Sequence, residues 1–248
     1  MQPLLFTTAT DLSAPYFEAA GWQIFTYATL PASLPPAQLV YFRDPFNDPD
    51  FIPDPTALDH LISHYAAARS VDHIRSFRDM LSAEDKYLQS RRLGDLYPVT
   101  HLPSQRGFTP GRDLAKPRIS QRAKNILFDL GDRQLDDSWL IQPRLDIQEE
   151  LRVYTIGHQI LDLASIKSSK STGAVKVTGT RQLTPAEHDF IAAALKRCNF
   201  DLIGFDLACL TDGTLTLIEV NRSPQFRRYT ELTGTNLAQI LTDHLTAR

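Results

Sequence analysis

At 248 residues, with 42% hydrophobic and 22% charged residues, the sequence has an ordinary globular composition and enough length for one compact unit or a few small lobes. Net charge is −3, from 26 basic and 29 acidic residues, so no overall basic field points to nucleic acid or an anionic membrane. The two cysteines, Cys198 and Cys209, form no disulfide framework and read as buried thiols of a reducing cytoplasm; the first ten residues lack the basic stretch of a secretion signal, and no apolar run approaches a membrane span.

In chain order, residues 3–8 and 22–27 read as short strands around a helix over 13–20, with Gly21 where a C-cap glycine belongs. Residues 38–42 read as a third strand. A Pro/Asp-rich loop then ends in Asp54-Pro55, an N-cap acceptor followed by proline at the first helical position. Leu58, Leu61, Ile62 and Tyr65 keep helical spacing after it, which makes residues 1–80 a small α/β lobe. Ser82 to Lys86 opens another helix that ends near Gly94. Strands are expected over 113–116, 125–128 and 139–142, in a second lobe covering 81–145. From 146 to 248 the pattern is β-rich at first, with strands over 151–156, 159–166 and 174–179. Thr184-Pro185-Ala186-Glu187 is a capping box, and Phe190, Ile191, Ala194, Leu195 and Cys198 share one face of the helix it opens. A last helix over 236–246 buries Leu237, Ile240, Leu241 and Leu245. This order of elements reads as α+β rather than one wound sheet.

Residues 203–224, IGFDLACLTDGTLTLIEVNRSP, carry the most chemistry. Asp212-Gly213 between two apolar runs is a hairpin signal. Alternation sends Glu219 and Asn221 to one face and Val220 to the other. If Asp206 faces the same side, three oxygen donors meet there, a set suited to a hard cation such as Mg²⁺; acidic residues at strand ends are also commonly just solvated.

The pattern G-x-D, D-G, E-x-N-x-x-P, followed by Thr233-Gly234-Thr235-Asn236 and a final helix, resembles the metal-binding end of the ATP-grasp superfamily, in its RimK and glutathione-synthetase-like branch. The likeness covers residues 82 to the end and implies two α/β lobes clasping ATP, preceded by a small N-terminal lobe that matches nothing specific. It implies that Asp206, Glu219 and Asn221 hold Mg²⁺, with Mn²⁺ as an alternative. Asp85-Lys86 and Pro98-Val99-Thr100 resemble the family's D-K…P-x-T segment, and Lys116-Pro117 its second lysine, so Lys86 and Lys116 would meet the phosphates. The loop after Lys116 departs from the family: Ser120, Ala123 and Asn125 replace its glycines, while Arg118, Arg122 and Lys124 add donors. Arg118 and Ser120 are thereby assigned to the nucleotide, and so is Lys176. Gln142, Pro143, Arg144 and Leu145 resemble the hinge that meets adenine, and Glu150 and Arg152 resemble the family's D-I-R, for ribose hydroxyls and the γ-phosphate. Arg152, Lys167 and Arg222, with Arg181 and Lys176, are candidates for the carboxylate substrate or acyl phosphate. The implied activity is an ATP-dependent ligase joining a carboxylate to an amine, on small-molecule or peptide substrates, in the cytoplasm, with neither nucleic acid nor membrane as partner and a homodimer allowed. A phosphotransferase and a non-catalytic ATP-binding module are the alternatives.

Overall fold

The computed structural model describes residues 2–48, 51–119, 125–169 and 175–247. Its first sheet is built from β1 (Leu4–Thr7), β2 (Gln23–Thr26), β3 (Leu39–Phe42) and β4 (Arg69–Ser70) in the order β2-β1-β3-β4, all parallel. A parallel strand is covered on both faces, and all four residues of β1 are buried accordingly. The crossovers carry α1 (Ala14–Ala19) and α2 (Pro55–His64). Gly21 ends the first crossover with φ +87°, a conformation in which a side chain would be strained. The α2 N-cap forms as its sequence predicts, with the Asp54 carboxylate accepting from the Thr56 and Ala57 amides at 2.9 and 3.2 Å.

The helix expected to run from Ser82 to near Gly94 is two helices, α3 (Phe77–Glu84) and α4 (Lys86–Leu93). The break is Asp85. Its backbone is extended, and its carboxylate accepts from the Tyr87 and Leu88 amides at 2.8 and 3.3 Å, making it an N-cap rather than an interior residue. Lys86 therefore stands at the first position of a new helix. A two-stranded antiparallel ribbon follows, β5 (Asp113–Pro117) with β6 (Trp139–Pro143). The strand expected over 125–128 reduces to one bridge between Ala115 and Leu127, and Asn125 has φ +61°.

The third sheet is antiparallel, in the order β10 (Val175–Gln182), β9 (Leu163–Ser169), β7 (Ile147–Ile156), β11 (Leu202–Leu210), β12 (Leu215–Asn221), with β8 (Gln159–Ile160) paired to β7. One face is apolar. There Leu151, Val153, Phe205, Leu207 and Leu217 pack on Ile191, Ala194 and Leu195 of α5 (Pro185–Leu195), whose capping box is formed by Thr184 and Glu187. Cys198 lies beyond the end of α5, and both cysteines are half-buried rather than buried. Beyond β12, α6 (Arg227–Thr233) and α7 (Leu237–Thr246) turn back onto the first sheet. Phe17, Trp22 and Tyr41 share a core with Phe226, Leu237 and Leu241, and the Trp22 indole donates to Thr242 Oγ1 at 2.7 Å. Among the described residues no helix is long and apolar enough to cross a membrane.

Candidate functional site: a charged cluster on the open face of the third sheet

The open face of the third sheet takes its polarity from alternation and from one irregularity. Asp206 on β11 is the register partner of Arg152 on β7 and of Glu219 on β12, while Glu150 pairs with Lys167 on β9. Directly paired residues project from the same side of a sheet, so these five side chains share a face. Strict alternation would nevertheless bury Glu219, because Leu217 belongs to the apolar core. The register moves from Asp206↔Glu219 to Leu207↔Leu217, which leaves Ile218 as the extra residue of a β-bulge. The bulge resets the alternation. Glu219 and Asn221 come to the open face, half-buried, and Val220 takes its place in the core. It also frees the Ile218 carbonyl, which accepts the Tyr97 hydroxyl and lies 3.5 Å from Lys116 Nζ.

Four cations converge on three carboxylates. Arg152 grips Asp206 with two bonds of 2.7 Å, and Lys167 reaches the same carboxylate at 2.8 Å while also pairing with Glu150. Lys86 sits 3.0 Å from Glu219. Lys116 projects from β5 over the Tyr97 ring, 5.8 Å from its centroid. Burial alone would raise Asp206, but Arg152 and Lys167 outweigh it and hold the carboxyl well below the usual range. The opposite happens at Lys116: burial, and then the neighbouring Lys86 charge, push its ammonium down to about 8. The Lys86 and Lys116 ammonium groups thus repel one another in a buried setting, with Glu219 and Asp206 as the acids that oppose the repulsion.

The donor types are those a hard divalent cation takes, although Asp206 is held by Arg152 and Lys167 and Glu219 by Lys86 in this arrangement. Asp206 stays ionised, Glu219 adds a second carboxylate, and Asn221 turns its amide nitrogen toward the Gly204 carbonyl at 3.5 Å, leaving the amide oxygen the other way.

Solved structures align with the chain from end to end. The ATP-grasp ligase PsnB complexed with a minimal precursor superposes with a TM-score of 0.70 and 15% identity, over 100% of this chain and 99% of that one. The chain has the ATP-grasp fold. The D-cycloserine synthetase DcsG aligns at TM-score 0.65 and 14% identity, over 99% of both chains. The macrocyclase MdnC of Microcystis aeruginosa MRC, bound with precursor peptide MdnA, aligns at 0.64 and 15% over the full length of both. No protein-family model matches the sequence, and no curated protein aligns with it.

Their contacts separate the remaining candidates. Arg222 does not join the cluster, although it follows Asn221. Alternation turns it to the other face, where it is 1% exposed and is held by Asp72 at 3.1 Å, Glu84 at 2.8 Å and the Phe42 carbonyl. It ties β12 to the first sheet, which corrects its assignment to substrate. Arg181 also lies on the other face, clamped by Glu149 and Glu187 at 2.6 Å each. Those two acids and Cys209 bring their ligand atoms within 4.8 Å of one another, but the Arg181 guanidinium already supplies the cation there. Arg118 is paired with Asp85 at 2.5 Å and donates to the Asp137 carbonyl, so it locks the end of β5 to the start of α4 instead of facing the cluster. Gln142 is buried, donating to Thr100 Oγ1 at 2.7 Å. Pro143 closes β6, Leu145 is half-buried, and Arg144 stacks on Phe128 at 4.9 Å. Lys176 is exposed on β10, and Ser120, Arg122, Ala123 and Lys124 lie outside the described residues. Sequence reasoning missed Tyr97 altogether. An aromatic residue before a proline carries no local sign that it will lie beneath a lysine nineteen residues ahead.

Proposed function

We propose that this protein is an ATP- and Mg²⁺-dependent ligase that joins a carboxylate to an amine through an acyl phosphate, with a peptide or amino acid among its substrates. The carrying observation is the convergence of Lys86, Lys116, Arg152 and Lys167 around Asp206, Glu219 and Glu150, with Asn221 alongside, on the face of the third sheet opposite α5. The positive excess suits triphosphate. Bound Mg²⁺ would supply charge neutralisation between phosphates from Asp206, Glu219 and Asn221. In this reading Lys86 and Lys116 offset the transferring phosphoryl charge from buried positions where the field is weakly screened. Arg152 and Lys167 relax from Asp206 as phosphate oxygens arrive, and the planar fork of Arg152 then orients the γ-phosphate. A carboxylate oxygen of the substrate bonds to the γ-phosphorus as the bond to the ADP oxygen breaks. The amine next bonds to the acyl carbon, and inorganic phosphate leaves. No protein nucleophile is required. The lobes divide near residues 80 and 145, and the first contributes substrate recognition. The peptide-bound state of PsnB and MdnC supports a peptide substrate, and DcsG supports a smaller one.

Incubation with ATP, Mg²⁺ and a panel of acids in hydroxylamine tests the chemistry, because hydroxylamine intercepts acyl phosphates. A hydroxamate and stoichiometric ADP are expected. A stable phosphorylated alcohol would transfer the case to a phosphotransferase, and calorimetry showing no nucleotide binding would leave no ATP-dependent reaction to explain.

A further inference from the structure

Glu219 and Asn221 sit on β12, the last strand of its sheet, so the outward N–H and C=O of the residue between them face no other strand. An unpaired edge is free to slide or fray. Gln89, a buried residue of α4, meets it. Its Oε1 accepts from the Val220 amide at 3.1 Å, and its Nε2 donates to the Val220 carbonyl at 2.9 Å and to the Ala83 carbonyl, at the end of α3, at 3.0 Å. The orientation of the side-chain amide is fixed, since a flip would set its oxygen against two carbonyls. A single side chain thus imitates a neighbouring strand for one residue. That residue is the one flanked by the two oxygen donors. One turn earlier on the same helix, Lys86 reaches Glu219 at 3.0 Å, so α4 fixes the backbone between the donors and the charge of one of them together.

We propose that Gln89 is a positioning residue, whose two-point grip on Val220 holds Glu219 and Asn221 in register for a divalent cation. The proposal rests on the metal site of the ligase reading. Outer-shell partners of this kind are worth about 10- to 100-fold in metal affinity. Gln89→Met keeps the shape and loses all three bonds; Gln89→Glu keeps the contact to the Val220 amide and opposes the two carbonyls.

ADP binding by calorimetry, in Mg²⁺ and in EDTA, separates this role from plain edge capping. In the parent, Mg²⁺ tightens ADP binding. In Gln89→Met that tightening falls about tenfold or more, Gln89→Glu lies between, and affinity in EDTA stays at the parent's. Folded variants with the parent's full Mg²⁺ effect overturn the proposal while leaving the ligase reading intact. A parent without any Mg²⁺ effect overturns both. Should the variants not fold, amide exchange in the parent decides: Val220 is protected, and protection increases with Mg²⁺ and ADP but not with ADP in EDTA. Free exchange at Val220, or no Mg²⁺-dependent slowing, overturns the proposal.

Discussion

Replacing Lys116 with methionine should stabilise the ligand-free protein while weakening its hold on nucleotide. The ammonium, 6% exposed, is pushed from its usual 10.5 to about 8, first by burial and then by Lys86. That displacement corresponds to roughly 3 kcal/mol of cost for keeping Lys116 charged in the empty fold. Methionine removes the cost and keeps most of the apolar stem. It gives up the contact with the Ile218 carbonyl and the Tyr97 ring, together about 1 kcal/mol. The balance at pH 7 is a gain of about 2 kcal/mol, or roughly 4 to 8 °C in Tm for a chain of this size. The sign with pH follows from the depressed value. Below pH 8 the lysine is charged in both states and the cost is fully present. Between about pH 8 and 10.5 the folded lysine is neutral while the unfolded one still holds its proton, so parent stability rises and the advantage of methionine fades. Thermal unfolding by circular dichroism at pH 7 and pH 10 measures this. ATP binding by Lys116→Met should weaken about 10- to 100-fold, the worth of one charge-assisted contact. A variant less stable than the parent at pH 7, or an advantage unchanged at pH 10, would refute the buried-ammonium argument.

Three further substitutions probe the oxygen donors and the Arg222 tie between β12 and the first sheet. Asp206→Ala leaves Arg152 and Lys167 without their shared carboxylate, so it should cost about 3 kcal/mol in urea unfolding as well as the Mg²⁺ dependence of nucleotide binding. Asn221→Ala loses only a 3.5 Å contact and should change stability by less than about 1 kcal/mol, yet remove the same Mg²⁺ dependence in calorimetry. Arg222→Met leaves Asp72 and Glu84 buried without their cation and should cost about 3 to 5 kcal/mol by denaturant unfolding; a variant of parental stability would show that the tie contributes nothing.

The β11–β12 hairpin was legible because an Asp-Gly turn and flanking alternation are local signals, and Gly213 does take φ +85°. The first three strands of the first sheet were legible from short apolar runs, whereas the two-residue β4 was not read at all. What escaped were features decided by distant partners. The Ile218 bulge has no composition of its own: alternation from Asn221 backward gives the right face for Glu219, whereas alternation from Leu217 forward gives the wrong one. Asp85 read as part of the opening turn of a helix begun at Ser82, because its capping role depends on where α3 stops. Arg118 read as a phosphate ligand because its carboxylate partner lies on another element, thirty-three residues earlier. Gln89 looked like any polar helix residue until β12 was placed against it. Arg222 was decipherable in principle, since the alternation that exposes Asn221 turns the next residue inward; nearness along the chain was mistaken for nearness in the site.

The shared core of the first sheet with α6 and α7 has a consequence for biosynthesis. Phe17, Trp22 and Tyr41 are covered by Phe226, Leu237 and Leu241, so the first lobe emerges from the ribosome with an aromatic flank that has no cover until residues 226–241 are made. At ordinary elongation rates the wait is roughly ten to forty seconds. During it, the lobe presents the kind of surface that holdase chaperones bind. Pausing shortly before residue 226 should therefore lower the yield of folded protein more than pausing before residue 17.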